Sequence, residues 1–246
     1  MKREKWQILL AVSLVALSAA FYFLHYAFFR DAHHIFIYLV GDIAFVPIEV
    51  LLVTVIIHRV LSIREKRAML NKLNMVIGAF FSEVGTPLLK SFVRFDVEPD
   101  RLCESFARVK DWSDAEFASR TGRAVLQDLT VEATKGDLPG LQELLVSRRS
   151  FLLRLLENPN LLEHERFTNL LWAVFHLSEE LEKRGDFKTL PDTDLKHLAG
   201  DIKRAYSRLL VEWLSYMRHL KRDYPYLFSL AVRTNPLDET ASPVVG

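Results

Sequence analysis

The sequence is poor in cysteine, glycine and proline. Its single cysteine, Cys103, cannot form an internal disulfide, and no cysteine–histidine spacing typical of a zinc finger is present. Nine glycines and nine prolines among 246 residues are too few for a collagen-like or disordered chain. Neither a Walker phosphate loop nor a GxGxxG loop occurs. The sequence therefore predicts no nucleotide and no other cofactor.

An excess of one charge sign is also missing. The chain has 32 Lys+Arg against 31 Asp+Glu, whereas binding to nucleic-acid phosphates requires a clustered basic excess. We expect no nucleic-acid partner. No Ser/His/Asp or Cys/His nucleophile set can be assigned, and Cys103 is best explained as a small core residue. A non-enzymatic role is therefore favoured.

Long apolar runs are present, and they lie at the start of the chain. Residues 6–29 contain no Asp, Glu, Lys or Arg, and residues 35–57 form a second run. A helix needs roughly 20 apolar residues to cross the hydrocarbon core. Residues 1–57 therefore predict a two-span transmembrane helical hairpin, with spans at about 6–29 and 35–57 and a five-residue turn at 30–34.

Two alternatives exist for these runs. Lys2, Arg3 and Lys5 followed by Ser18-Ala19-Ala20 would suit a cleavable signal peptide, but the apolar run continues for nine residues beyond Ala20. The other alternative is a helical hairpin buried inside a soluble domain. Two adjacent runs of spanning length favour membrane spans over both alternatives.

The basic residues predict the orientation of these spans. They flank the hairpin on its outer ends, whereas the turn between the runs has one arginine, Arg30. Basic residues concentrate on the cytosolic side. We expect a multi-pass protein of the inner (cytoplasmic) membrane, in contact with the lipid bilayer, with both termini in the cytosol. The basic residues at the outer ends are Lys2, Arg3, Lys5, Arg59, Arg64, Lys66, Arg67 and Lys72.

Two acids lie inside the second run. Asp42 and Glu49 are seven residues apart and share one helix face, and a charge near the bilayer centre is costly. One interpretation is an ion or proton pathway in a homo-oligomer. The structural alternatives are that the acids are protonated and hydrogen-bonded between helices, that they pair with His25 of the first span, or that Glu49 lies near the cytosolic interface. Each of these readings keeps this face away from lipid, so we expect a homo-oligomer.

The remainder of the chain predicts an all-α cytosolic domain. Residues 58–85 should continue the second span as a helix that Gly85-Thr86-Pro87 breaks, and residues 86–246 should form a helical bundle with a polar C-terminal tail. A Ser113–Glu116 capping box and Asp137 mark two helix starts. The helices expected in this bundle cover residues 88–93, 99–109, 113–134, 138–156, 163–184, 192–222 and 226–232.

Two polar patterns on these helices are candidate binding sites. Glu165, His176 and Glu180 fall on one helix stripe, and Glu179 lies three residues after His176. A histidine with carboxylates on adjacent turns can ligate a metal in a bundle, although no matching second copy of the pattern is evident and a solvated face is the alternative. Arg204 and Arg208 could clamp an anion, or form ordinary surface ion pairs.

These observations favour an oligomeric integral membrane protein that acts as a sensor or scaffold, with a cytosolic helical domain that binds a protein partner. An ion- or proton-conducting homo-oligomer using Asp42 and Glu49 is the first alternative. A membrane-bound metalloprotein centred on His176 is the second.

Overall fold

The computed structural model describes residues 2–122, 129–161, 164–238 and 240–244. Over these residues the chain is helical, and its only extended pairing is one isolated bridge between Asp96 and Val131. The predicted all-α class is confirmed. The chain divides into two compact units, Met1–Arg67 and Ala68–Gly246.

The first unit contains helix α1, Lys2–Phe29, and most of helix α2, Ala32–Phe80. The turn between them has two residues, Arg30 and Asp31, and not the five expected. Arg30 takes a left-handed conformation with φ 51° and ends α1, while the carboxylate of Asp31 accepts a hydrogen bond from the His34 amide at 3.2 Å. This side-chain cap allows α2 to begin at once.

Apolar side chains of the first unit lie on its surface. None of the described side chains from Trp6 to Glu65 is buried. By length and composition alone, three stretches could cross a bilayer: Trp6–Phe29, Ala32–Glu65 and Lys72–Val93. The third differs from the other two because nearly half of its most apolar part is buried inside the protein.

A π-helical turn, Phe81–Gly85, joins α2 to helix α3, Thr86–Val93. The predicted break at Gly85-Thr86-Pro87 is therefore wrong. Pro87 lies in the first turn of α3, where a missing N–H costs little. A Cβ at Gly85 would lie 2.5 Å from the Phe81 ring, so glycine here permits tight packing without ending the helical path.

Helices α4, Pro99–Ala107, and α5, Asp114–Gly122, follow. The capping box is confirmed, because the Ser113 amide donates to Glu116 Oε2 at 2.6 Å and the Glu116 amide donates to Ser113 Oγ at 3.3 Å. The predicted extension of this helix to Thr134 is wrong for its last part, where Val97 N donates to the Thr130 carbonyl. The intervening residues 123–128 lie outside the described residues.

The helix predicted over 138–156 is two helices, α6, Leu138–Ser147, and α7, Arg149–Leu156. Asp137 caps α6 as expected, accepting a hydrogen bond from the Gly140 amide at 3.0 Å. The two helices separate at Arg148, whose φ of −101° and ψ of 1° are not helical. Side-chain periodicity alone does not show such a break, because both helices present apolar residues to the same core.

Helix α8, Glu165–Glu182, helix α9, Asp192–Asp223, and helix α10, Pro225–Arg233, complete the fold. Their extents agree with the predicted ones within a few residues. His164 caps α8, with Nδ1 accepting from the Phe167 amide at 3.2 Å. Burial lowers the pKa of His164, which favours the neutral ring that this cap requires.

The core of the second unit forms around α8 and α9. Contacts between His176 and Asp201 and between Arg166 and Glu212 show that the two helices run antiparallel. Fully burying each large apolar side chain contributes about 1.5–3 kcal/mol. Aromatic rings tie the third apolar stretch into this core: Phe80 packs on Phe167 with centroids 5.2 Å apart, and Phe81 stacks on Tyr216 at 4.8 Å.

Arg184 holds the connection between α8 and α9. Its Nε and Nη2 donate to the two carboxylate oxygens of Asp194, both at 2.7 Å. Its Nη1 donates to Glu180 Oε2 at 2.7 Å, one turn back on α8. Paired donors of this kind match a carboxylate geometrically, and they fix the end of α8 relative to the start of α9.

We expect Arg184→Gln to lower the thermal midpoint of the second unit by about 3–6 °C, because two charge-assisted contacts are lost. The measurement is near-UV circular dichroism of the full-length protein in detergent. Arg222→Gln is the matched control, because Arg222 is exposed and pairs with its sequence neighbour Asp223. Equal midpoints for the two variants would show that Arg184 is not a structural contact.

One glutamate is buried in the contact between α8 and α9. Glu212 on α9 is almost fully buried, and Arg166 Nε on α8 lies 3.3 Å from its Oε1. Burial raises the pKa of Glu212, and the opposing effect of the Arg166 charge is smaller. The folded chain therefore binds this proton more tightly than the unfolded chain. Stability from this group is present at low pH and is lost as pH rises through the folded pKa.

The variant Glu212→Gln should gain stability over the wild type at pH 8, and the gain should shrink at pH 4.5. The glutamine amide stays neutral at both pH values, whereas the buried wild-type carboxyl must ionise at the higher pH. Thermal midpoints of both proteins at the two pH values test this, with exposed Glu143→Gln as control. A pH-independent difference would contradict it.

Candidate metal centre

Four side chains that can ligate a metal meet where α8 and α9 pack together. His176 and Glu180 lie one turn apart on α8, and His197 and Asp201 lie one turn apart on α9. Residues four apart share a helix face. Because the helices are antiparallel and joined by a short connection, the two His-x-x-x-acid pairs face each other.

The distances between the ligand atoms are short. His197 Nε2 lies 3.3 Å from Asp201 Oδ2 and 3.7 Å from Glu180 Oε2. His176 Nε2 lies 3.6 Å from Asp201 Oδ2 and 3.9 Å from Glu180 Oε1. The tightest set is Glu180, His197 and Asp201, whose ligand atoms all lie within 4.8 Å of one another. His176 flanks both carboxylates of this set.

Asp201 lies deepest in the cluster. The residue is 2% exposed, and its Oδ1 accepts a hydrogen bond from Arg204 Nη1 at 2.7 Å. Its Oδ2, which faces both histidines, has no hydrogen-bond partner among the described residues. An unsatisfied buried carboxylate oxygen is costly. A cation bound between the histidines would satisfy it.

Glu180 is held ionised at the rim of the cluster. The hydrogen bond from Arg184 keeps the pKa of Glu180 below its usual range. The same guanidinium fixes the side chain, since it also holds Asp194 on the next helix. Glu180 is therefore a pre-positioned anionic ligand, oriented by a residue outside the cluster, as is common for metal-binding carboxylates.

The spacing of these atoms suits a small transition-metal ion. Zinc binds histidine nitrogen and carboxylate oxygen at about 2.0–2.2 Å, so two ligands of a tetrahedral site are about 3.3–3.6 Å apart. The two contacts of Asp201 Oδ2 with the histidines fall at these values.

The predicted stripe on α8 is partly assembled into this site. His176 and Glu180 belong to the cluster. Glu179 pairs instead with Arg149 at 3.5 Å, and Glu165 is exposed in the first turn of α8. The sequence interpretation missed His197 and Asp201, although their His-x-x-x-Asp spacing on α9 repeats the His-x-x-x-Glu spacing on α8 and could have served as the signal.

Arg204 and Arg208 have different partners. Arg204 pairs with Asp201, so it lies at the edge of the metal-ligand cluster. Arg208 Nη1 donates to the Asn169 carbonyl of α8 at 3.1 Å. The two guanidinium groups are thus directed to separate acceptors, and an anion clamp formed by both stays a prediction.

The intramembrane polar residues of the sequence analysis lie in the first unit. Asp42 and Glu49 are exposed on α2, and no hydrogen bond or ion pair to either is found within the described part of the chain. His25 stacks on His34 with centroids 6.0 Å apart, and it packs on Phe29 at 4.8 Å. Pairing of His25 with an acid, and a conducting role for Asp42 and Glu49, stay predictions.

Comparison with known proteins identifies relatives over both units. Residues 2–61 match the N-terminal helical domain of MJ1433, and residues 69–233 match the C-terminal helical domain of the uncharacterized protein MJ1433. The chain is 44% identical over 239 residues to the uncharacterized protein MJ1433 of Methanocaldococcus jannaschii, an alignment that covers 97% of this chain and 96% of that protein. No solved structure matches. The chain therefore belongs to the MJ1433 family, with both of its helical domains.

Proposed function

We propose that this protein is a two-span membrane protein whose cytosolic helical domain binds a divalent transition-metal ion, with Zn²⁺ as the best-fitting class. Its role is that of a metal-responsive sensor or scaffold at the membrane. The observation that carries the metal proposal is the convergence of ligand atoms of Glu180, His197 and Asp201 within 4.8 Å. The Asp201 oxygen that faces the histidines accepts no hydrogen bond from any of the described residues.

The mixed nitrogen and oxygen donors select the ion class. Imidazole suits Zn²⁺ and neighbouring first-row metals, whereas Ca²⁺ and Mg²⁺ prefer shells made of oxygen ligands. Glu180, His197 and Asp201 supply one nitrogen and two oxygens. His176 Nε2 lies 3.6 Å from Asp201 Oδ2 and 3.9 Å from Glu180 Oε1, so it can supply the fourth ligand of a tetrahedral site.

Exposure of apolar side chains supports the membrane part of the proposal. The protein buries none of the apolar segment within Trp6–Phe29, and none of that within Ala32–Glu65. Soluble monomers rarely expose contiguous apolar patches above a few hundred Å². At about 1.5 Å per residue, 24 helical residues also suffice to cross a hydrocarbon core of about 30 Å. Burial of this hairpin in the protein's own core has no support.

The third apolar stretch has a different environment. Phe80, Phe81 and Val84 lie in the core of the second unit, as do Leu88, Leu89 and Phe92 further along the chain. Their apolar surface is already removed from water by protein contacts, so this stretch gains little from lipid. We therefore propose two spans, and the distribution of basic residues favours a topology with both termini on the cytosolic side of the cytoplasmic membrane.

Full-length protein expressed in cells should remain in the membrane pellet after a carbonate wash at high pH and should be released by mild detergent. Carbonate removes peripheral proteins held by charge, but not helices inserted in lipid. Recovery of the folded protein in the carbonate supernatant would contradict the two-span topology.

Purified full-length protein in detergent should bind about one Zn²⁺ per chain, and Asp201→Asn should weaken binding by at least about a hundredfold. Losing a residue that only hydrogen-bonds to a metal ligand lowers metal affinity by about 10–100-fold, and Asp201 is proposed as a ligand itself. Isothermal titration and elemental analysis measure both quantities. A large excess of Mg²⁺ should not displace the zinc.

The matched control is Asp223→Asn. Asp223 is also four residues after a histidine on α9, and its Oδ2 lies 2.7 Å from His219 Nδ1. It has no second histidine–carboxylate pair opposite it among the described residues. Zinc affinity should stay unchanged in this variant. Equal losses in both variants would show that binding is not located at Asp201.

A further inference from the structure

We propose that a second copy of this chain packs against the helical hairpin, so that Ser18 on α1 of each copy donates a hydrogen bond to Asp42 on α2 of the other. This inference rests on the two-span part of the proposed function, because it requires lipid around the hairpin, and it does not depend on the metal. The interface is isologous, with the same contact formed twice about a two-fold axis along the membrane normal.

The two helices of the hairpin cover each other only near the turn that joins them. Along Trp6–Glu65, the described side chains that are even half-buried are His25, Ile35 and Leu39, and all three lie close to the turn. A cavity of about 640 Å³ lies between the helices beside them. It is lined by Leu14, Leu17, Ser18 and Phe21 of α1 and by Ile35 and Tyr38 of α2. The inner faces of both helices therefore need a further partner.

Asp42 lies on the uncovered continuation of the α2 face that meets α1 near the turn. It follows the half-buried Ile35 by seven residues, a spacing that keeps two side chains on one helix face. Asp42 is exposed, and no hydrogen bond or ion pair to it is found among the described residues. An acid inside a membrane span almost always faces a neighbouring helix or a water-filled cavity, because contact with lipid is costly. The hairpin therefore requires another helix beside Asp42.

Ser18 of α1 lies at the depth of Asp42. Ser18 is eleven residues before Phe29, the last residue of α1, and Asp42 is ten residues after Ala32, the first residue of α2. At about 1.5 Å per residue they are about 17 Å and about 15 Å from the turn, near the middle of a hydrocarbon core of about 30 Å. Ser18 lines the cavity, and its hydroxyl makes no hydrogen bond within the described part of the chain. A donor and an acceptor that both need a partner thus lie at one depth.

A single copy does not join Ser18 to Asp42. Both side chains are exposed, and over the described residues 2–65 no hydrogen bond links them. A second copy crosses the membrane with the same topology, so its α1 presents Ser18 at the depth of Asp42 in the first copy. By symmetry, Ser18 of the first copy meets Asp42 of the second. Lipid tails cannot replace the second copy, because they offer no hydrogen-bond donor.

The first test measures association of the full-length protein in lipid vesicles, by energy transfer between two differently labelled pools. Ser18→Ala should weaken association by about three- to tenfold, the range that hydrogen bonds between membrane helices give. Ser13→Ala is the matched control on the same helix. Ser13 does not line the cavity, and its Oγ donates to the Leu10 carbonyl of its own helix at 2.8 Å, so this variant should associate as the wild type does.

The second test leaves Ser18 and Asp42 intact and locates the interface by disulfide cross-linking in membranes. Both copies carry Cys103→Ser, one copy also carries Leu14→Cys, and the other carries Val46→Cys. Leu14 lines the cavity, and Val46 lies one turn after Asp42. Mild oxidation should join the two copies into a covalent dimer. Ile48→Cys in place of Val46→Cys is the matched control, because a side chain two residues further along points to the opposite side of α2, and it should give no dimer.

Three results would overturn this inference. The first is absence of energy transfer in the wild type, or equal weakening by Ser18→Ala and Ser13→Ala. The second is equal cross-linking through the Val46 and Ile48 positions, which would indicate random collisions. The third is a disulfide within a single chain that carries both Leu14→Cys and Val46→Cys, with no dimer from the mixed copies, because the hairpin would then close on itself. Failure of the two-span topology is seen separately, as protein released by carbonate.

Discussion

The carboxylate of Asp201 is the group on which the candidate site depends. It is buried where α8 and α9 pack together, and taking a charge out of water costs several kcal/mol unless partners replace the lost hydration. Arg204 donates a hydrogen bond to one oxygen, and the other faces two histidines without a hydrogen bond in the described part of the chain. The case for a cation between His176 and His197 follows from the need to satisfy that second oxygen.

The two units use apolar residues in different ways. In the second unit, α8 and α9 cover Phe80 and its neighbours. The contact between these two helices also contains the ion pair of Arg166 with Glu212. In the first unit, none of the described apolar side chains is covered in this way. In the proposed membrane setting, lipid would shield the apolar side chains of the first unit from water, as protein contacts shield those of the second. Under the proposed function, the second unit with its candidate metal site would be held at the cytosolic surface, where two-dimensional confinement favours contact with membrane-attached partners.

The sequence predicts helices well and their contacts poorly. Local signals such as the Ser113–Glu116 box and the Asp137 cap are confirmed because they depend on neighbouring residues. The break at Arg148 and the π-helical turn before Gly85 depend on packing against other helices, so periodicity did not show them. Of the four clustered side chains, His176 and Glu180 belong to the stripe predicted on α8. The His197–Asp201 spacing on α9 is readable in the sequence, but its position opposite the α8 pair depends on the antiparallel packing of the two helices.

X-ray absorption at the zinc edge of the metal-loaded protein tests the central claim most directly. A site formed by Glu180, His197 and Asp201 predicts a first shell of nitrogen and oxygen at about 2.0–2.2 Å, with the outer scattering typical of imidazole and with no sulfur. A shell containing sulfur at about 2.3 Å would place the metal at Cys103. A six-oxygen shell without imidazole would place it on surface carboxylates. Either result would contradict the assignment.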